Sequence, residues 1–179
     1  MTVKANEAKE LFRQLTEDFF EGYTVIFANQ SRIAKPAIPL VTIRPGNVRR
    51  PQAANNEVND DGNVIGYYLS TIPMTIDLFS NGTAIEDDDG NVVAYENTAI
   101  DEMTSYADYM NSPKGVSWCH KNDVSILITG EAQDLTGVVN DNNYEYRARL
   151  EVLFSFTHNT DAETGNTGYF ETAVVEEET

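Results

Sequence analysis

Residues 142–159 read NNYEYRARLEVLFSFTHN. Taken two at a time from Tyr144, one set is Tyr144, Tyr146, Ala148, Leu150, Val152, Phe154 and Phe156. The other set is Glu145, Arg147, Arg149, Glu151, Leu153 and Ser155. Side chains alternate across a strand, so this pattern predicts a long strand with one apolar face and one face of opposite charges. Two arginines side by side are notable in a chain with 12 Lys and Arg against 29 Asp and Glu. Cross-strand ion pairs on an exposed sheet face would account for them. So would a neighbouring copy, because the planar guanidinium suits carboxylates at interfaces.

Working outward, the preceding segments supply partners for that strand. Ala8, Leu11, Phe12, Leu15 and Phe19 follow helical spacing, and Gly22 ends the run. YTVIFAN (23–29) is rich in aromatic and β-branched residues and reads as a strand. A second strand is expected around Leu40–Arg44, bounded by Pro39 and Pro45. VIGYYLSTIPMTIDLFSNG (64–82) reads as a long strand or a bent pair, with Tyr68, Ile72, Met74, Ile76 and Leu78 on one face. Pro73 predicts a bulge or an edge position there. Residues 98–113 read as a helix with Ile100, Met103, Ala107 and Met110 as its apolar stripe. Thr98 and Asp101 resemble a capping box, and Pro113 is read as the stop. DVSILITG (123–130) is a further strand, and residues 131–143 a loop.

Clustered strands and few helices predict an α+β fold: a largely antiparallel sheet with two main helices on one face and long polar loops. One domain over residues 1–157 is expected, with 158–179 as a partly disordered C-terminal extension. Residues 46–63 are polar and aperiodic and read as a long exposed loop opening with Arg49 and Arg50. Residues 83–97 read as a solvated acidic hairpin insertion. DDGNVIGY (60–67) and DDGNVVAY (88–95) echo one another and are read as two similar hairpin turns.

Composition excludes several functions. The formal net charge is −17, and residues 51–113 contain no Lys or Arg. Such a chain repels phosphates, so nonspecific nucleic-acid binding is excluded, although DNA can slide past it without sticking. A single cysteine, Cys119, provides no disulfide framework and no cysteine-based zinc cluster. No apolar run reaches the ~20 residues of a membrane span, and the N-terminus lacks a signal-peptide core. The protein is therefore expected to be made in the cytosol and not exported as a free soluble chain.

No catalytic or cofactor motif emerges. With Gly90 at the sixth position of a calcium loop, Asp87, Asp89 and Glu96 fall on ligand positions, but Ile85 occupies the first. Cys119 and His120 are adjacent; read on a strand they face opposite sides and form no dyad. No phosphate-binding glycine loop, zinc-protease motif or nucleophile elbow is present. The chain is expected to be no enzyme and to carry no cofactor or metal.

The order and flavour of these elements resemble the neck or tail terminator proteins of tailed bacteriophages. The resemblance rests on EAKELFRQLTEDF, PLVTIRPGN, YYLSTIPMTIDLFSNG, AIDEMTSYADYMNSP and YEYRARLEVLFSF, spanning most of residues 7–157. It implies a homohexameric structural ring in the virion, at the head-proximal end of the tail tube. Such a ring ends tube growth, joins tail to neck or head connector, and conducts DNA through a pore. It implies as partners the chain itself, the tail tube protein and the connector, with assembly in the host cytoplasm and no membrane. A head–tail adaptor or tube-completion protein, or a non-viral binding module, are the alternatives. Under this likeness Glu145, Arg147, Arg149 and Glu151 are expected near a subunit boundary, and Arg49 and Arg50 facing the lumen or a ring neighbour.

Overall fold

The computed structural model describes residues 3–28, 36–50, 55–58, 64–140 and 143–159. Two strands of 17 residues each organise it: β4 (Val64–Ser80) and β10 (Asn143–Asn159). They pair antiparallel in unbroken register from Tyr146↔Ser80 to Asn159↔Tyr67. β2 (Leu40–Pro45) lies antiparallel on the other side of β4, and β1 (Thr24–Phe27) extends the sheet parallel to β2. β7 (Val124–Ile128) adds to the far side of β10, giving the order β1-β2-β4-β10-β7. Short strands β3 (Asn55–Val58), β8 (Gln133–Asp134) and β9 (Gly137–Asn140) pair with the ends of the two long ones. β5 (Thr83–Glu86) and β6 (Val92–Glu96) form a separate two-stranded ribbon.

The fold is thus α+β with a mainly antiparallel sheet, as expected. The helices cover one face. α1 (Ala5–Phe19) and α2 (Ala99–Asn111) place Phe12, Leu15, Met103 and Tyr106 against Ile72, Met74, Ile76 and Leu78 of β4 and Leu150, Val152 and Phe154 of β10, all essentially buried. Phe12 meets Phe154 edge-on with ring centroids 5.4 Å apart. Fully burying each such side chain contributes about 1.5–3 kcal/mol. Polar groups of α1 and α2 inside this layer satisfy one another: buried Thr16 donates to the Phe12 carbonyl at 2.8 Å and lies 2.9 Å from the Tyr106 hydroxyl. The apolar set of β10 faces these helices from Tyr146 to Phe156, as its alternation required; the side chain of Tyr144 lies outside the described set.

Four local expectations differ from the structure. Pro73 produces neither a bulge nor a sheet edge, since β4 runs between β2 and β10. Its carbonyl accepts from Gly46 at 2.7 Å, and a strand residue turns N and C=O to the same side. The imino nitrogen therefore faces the point where β2 has ended after Pro45, so no ladder donor is lost. Pro113 ends α2 but also starts a third helix, α3 (Pro113–Lys121). Proline fits the first helical position, whose N–H is unpaired in any case. Ser112 serves both helices, donating to the Tyr109 carbonyl at 2.6 Å and accepting from Gly115 N–H at 3.2 Å.

The supposed loop at 46–63 contains β3, and its Arg49 exchanges two backbone hydrogen bonds with Thr71, 2.8 and 2.9 Å. Ladder pairing uses only backbone groups, so polar composition did not reveal it. Residues 51–54 and 59–63 of that stretch, with the first copy of the echoed turn, lie outside the described residues. Likewise β8 and β9 lie within the stretch read as a loop. Residues 160–179 of the expected extension are outside the described residues too.

Candidate functional site

The face of the sheet opposite the helices carries the charged set of β10, and one residue organises it. Asp77 stands on β4 directly across from Arg149, with Phe79 across from Arg147. The Asp77 side chain is only 2% exposed. Arg149 donates from Nε to Oδ1 at 2.9 Å and from Nη2 to Oδ2 at 3.2 Å. Arg147 donates to the same Oδ1 from Nη2 at 3.0 Å and Nε at 3.3 Å, and its guanidinium lies 5.1 Å from the Phe79 ring centroid. Hydrogen bonding to Asp77 raises the Arg149 pKa above its ordinary value. A buried carboxylate demands such partners, because an isolated charge out of water is costly.

This answers why two cations stand side by side: both serve a carboxylate of the same chain. The reading of residues 142–159 alone missed Asp77, yet a signal existed. Asp77 is the single charged residue in β4 and has the parity of the non-helical face. Of the residues singled out with the arginines, Glu151 is exposed and Glu145 half-buried on the same strand. Arg49 and Arg50 are exposed beyond β2, some distance along the sheet from Asp77. Arg44 of β2 is exposed as well and pairs in register with Thr75.

The acidic insertion is a ribbon every residue of which, from Thr83 to Glu96, is exposed. Its tip is a closed hydrogen-bonded turn. Asp87 Oδ1 accepts from the backbone of Asp89 at 3.0 Å and of Asn91 at 2.9 Å, and these bonds hold its carboxyl below the usual range. Gly90 takes φ +80°, which the turn requires. Its acids are confined to Glu86–Asp89 and Glu96, whereas the strands expose Ile85, Val92, Val93 and Tyr95. The ribbon is an exposed hairpin with its acids gathered mainly at the tip, and its strands also expose apolar side chains.

The root of the ribbon is firmly set. Glu102 of α2 accepts from the hydroxyls of Tyr23, Ser80 (2.9 Å) and Thr98 (2.5 Å). Burial and the bond to Glu102 push the Tyr23 pKa up to about 12. Ser80 Oγ also accepts from Gly82 N–H at 3.1 Å, and Tyr146 donates its hydroxyl to the Tyr95 carbonyl at 3.0 Å. Thr98 does not form the expected capping box with Asp101; its hydroxyl is turned to Glu102, and Asn97 Oδ1 accepts from Ala99 N–H at 3.1 Å instead.

Cys119 and His120 belong to α3, not to a strand. Cys119 is buried and burial raises its pKa, while His120 is exposed. Neighbours on a helix point about 100° apart, so the two still form no dyad. No helix is long and apolar enough to cross a membrane among the described residues.

A family model described as phage neck terminator protein matches residues 8–178. No curated protein matches the sequence. The chain belongs to the phage neck terminator family, a family of structural proteins of the virion's neck and tail that associate with other components there. The match runs through residues 158–178, beyond residues 7–157, where the motifs that carry the resemblance lie.

Proposed function

We propose that copies of this chain join head-to-tail into a closed ring, six in number as the family likeness implies, at the head-proximal end of the tail tube. The ring ends tube growth, presents a surface to the neck or head connector, and leaves a pore for DNA. The observation that carries this reading is the family match across residues 8–178. The charge of −17 supports passage of DNA without retention. No catalytic or cofactor role is part of this reading.

The subunit boundary in this proposal includes Glu145, Arg147, Arg149 and Glu151. Asp77 takes two of the five N–H donors of each arginine. Reversing both arginine charges would set two carboxylates against buried Asp77, so Glu151→Lys is the cleaner probe. It is expected to change monomer stability by less than about 1 kcal/mol, since the site is exposed. It should weaken assembly; unchanged assembly would remove this strand from the boundary.

Native mass and negative-stain imaging over a range of concentrations test the ring. Closed rings with a pore are the expected result. A tube-capping assay, in which the chain is added to growing tubes, decides the case when the free chain stays monomeric. Binding to the connector without binding to tube ends would reassign the chain as an adaptor.

A further inference from the structure

The β5–β6 ribbon is built like an arm, tied to its own chain at the root by the Tyr146 hydroxyl on the Tyr95 carbonyl and exposed along its length. A two-stranded ribbon alone is marginally stable in water. This one exposes Val93 at 61%, Tyr95 at 55%, Val92 at 48% and Ile85 at 44%. Apolar surface collected on a projecting element marks an interaction site. Its acidic tip, Glu86–Asp89, states the charge its partner must have.

A matching surface lies on the open face of the sheet, away from the arm's root. Register places Leu127, Leu153 and Pro73 in one row across β7, β10 and β4. Leu127 is 61% exposed, and Leu69 on the same face is 55% exposed. Arg44, paired with Thr75, and Arg49, bridged to Thr71, flank this row on the β2 side. Both arginines are exposed, and no ion pair among the described residues involves either. Glu151 is the acidic residue next to the row.

We infer that the β5–β6 arm of one copy lies on the open sheet face of a second copy, its apolar shaft over Leu127, Leu153 and Leu69 and its acidic tip against Arg44 and Arg49. The arm leaves the sheet at Ser80 and Gly82, whereas the receiving surface is centred on residues 69–75 of β4. At about 3.3 Å per residue the two are roughly 15–35 Å apart along one strand. Every residue of the arm is exposed in its own chain and the receiving surface lies away from its root, so the acceptor is assigned to another copy. Joining two unlike surfaces in this way is the heterologous geometry from which rings close. The inference rests on the ring reading and specifies its contact.

The test mixes two full-length variants in a Cys119→Ala background, one carrying Val93→Cys and the other Leu127→Cys. Under mild oxidation the expected product is a disulfide-linked pair containing one chain of each, with the 93–127 link found by peptide mapping. Absence of that product overturns the contact, whatever the mass of the wild-type chain. A charge exchange gives a second readout. Arg44→Glu with Arg49→Glu should raise the apparent dissociation constant at least about tenfold, and adding Asp88→Arg with Asp89→Arg should recover most of the loss. No effect of the first pair, or no recovery, overturns the assignment. Rings of normal size from a chain with residues 84–95 replaced by a two-residue turn would overturn the arm contact and leave the ring itself standing. Failure of the tube-capping assay would instead count against the ring.

Discussion

Arg149 faces Asp77 directly across the β4–β10 ladder and grips both of its carboxylate oxygens, while Arg147, two residues earlier, shares one of them. The pair of arginines is therefore a structural anchor for the sheet's longest seam as well as a surface feature. The arginine side chains remain 26% and 29% exposed, so water reaches their outer edges. This tempers the energy of the cluster relative to a fully buried pair.

Asp77→Ala is expected to destabilise the chain by about 2–4 kcal/mol, read from the midpoint of denaturant unfolding. Arg147→Ala alone should cost less, about 0.5–1.5 kcal/mol, because Arg149 keeps both carboxylate oxygens occupied. Removing both arginines leaves the carboxylate buried and unpaired and should cost about 3–5 kcal/mol. An additive result for the two single arginine changes would contradict a shared acceptor.

Gly82→Ala should disrupt the root of the arm. Gly82 has φ +72°, and a Cβ there would fall 2.3 Å from the Glu96 carbonyl oxygen and 2.8 Å from the Tyr146 ring. The left-handed backbone alone costs about 1–2 kcal/mol for other residues, and the clash adds to it. Faster hydrogen exchange at Thr83–Glu86 and Val92–Glu96 is the expected signature, with the β4–β10 amides much less affected.

Tyr23 makes stability depend on alkaline pH. Its folded pKa is raised to about 12, by burial first and by Glu102 second. A raised pKa favours the protonated phenol, so its contribution is complete below the unfolded value of about 10. That contribution is lost as pH climbs from there through about 12. Thermal melts of wild type and Tyr23→Phe should differ less at pH 11 than at pH 8. A pH-independent difference would show that the folded state does not hold the phenol protonated.

Tyr146→Phe removes the hydroxyl that bonds the Tyr95 carbonyl but keeps the ring. A local cost of about 0.5–1.5 kcal/mol to the docking of the arm is expected. Amide exchange should quicken in the arm without reporters in α1 or α2 moving.

The main elements were legible because their signals are local. Period-two alternation in β10 and β4 and helical spacing in α1 survive any tertiary arrangement, since burial acts on each face directly. What escaped reading depended on long-range partners. β3 is polar and exists because the start of β4 offers it a ladder. Thr98 lost its capping role because Glu102 stood nearer its hydroxyl. Pro113 reads as a stop from sequence, and only the contacts of Ser112, which closes one helix and opens the next, make it a start as well.

By itself, the amino-acid order determined an α+β chain with one apolar sheet face, an acidic field hostile to phosphate, and the resemblance that the family match over residues 8–178 sustains. Tertiary structure alone decided what the charged residues do. Asp77 and Arg149 lie 72 positions apart and meet at 2.9 Å only because β4 and β10 pair in one register. The same register gathers Leu127, Leu153 and Pro73 into a row, with Leu127 61% exposed. Coulomb forces and burial act over ångströms, so a sequence states which charges exist while the fold states which of them are already answered.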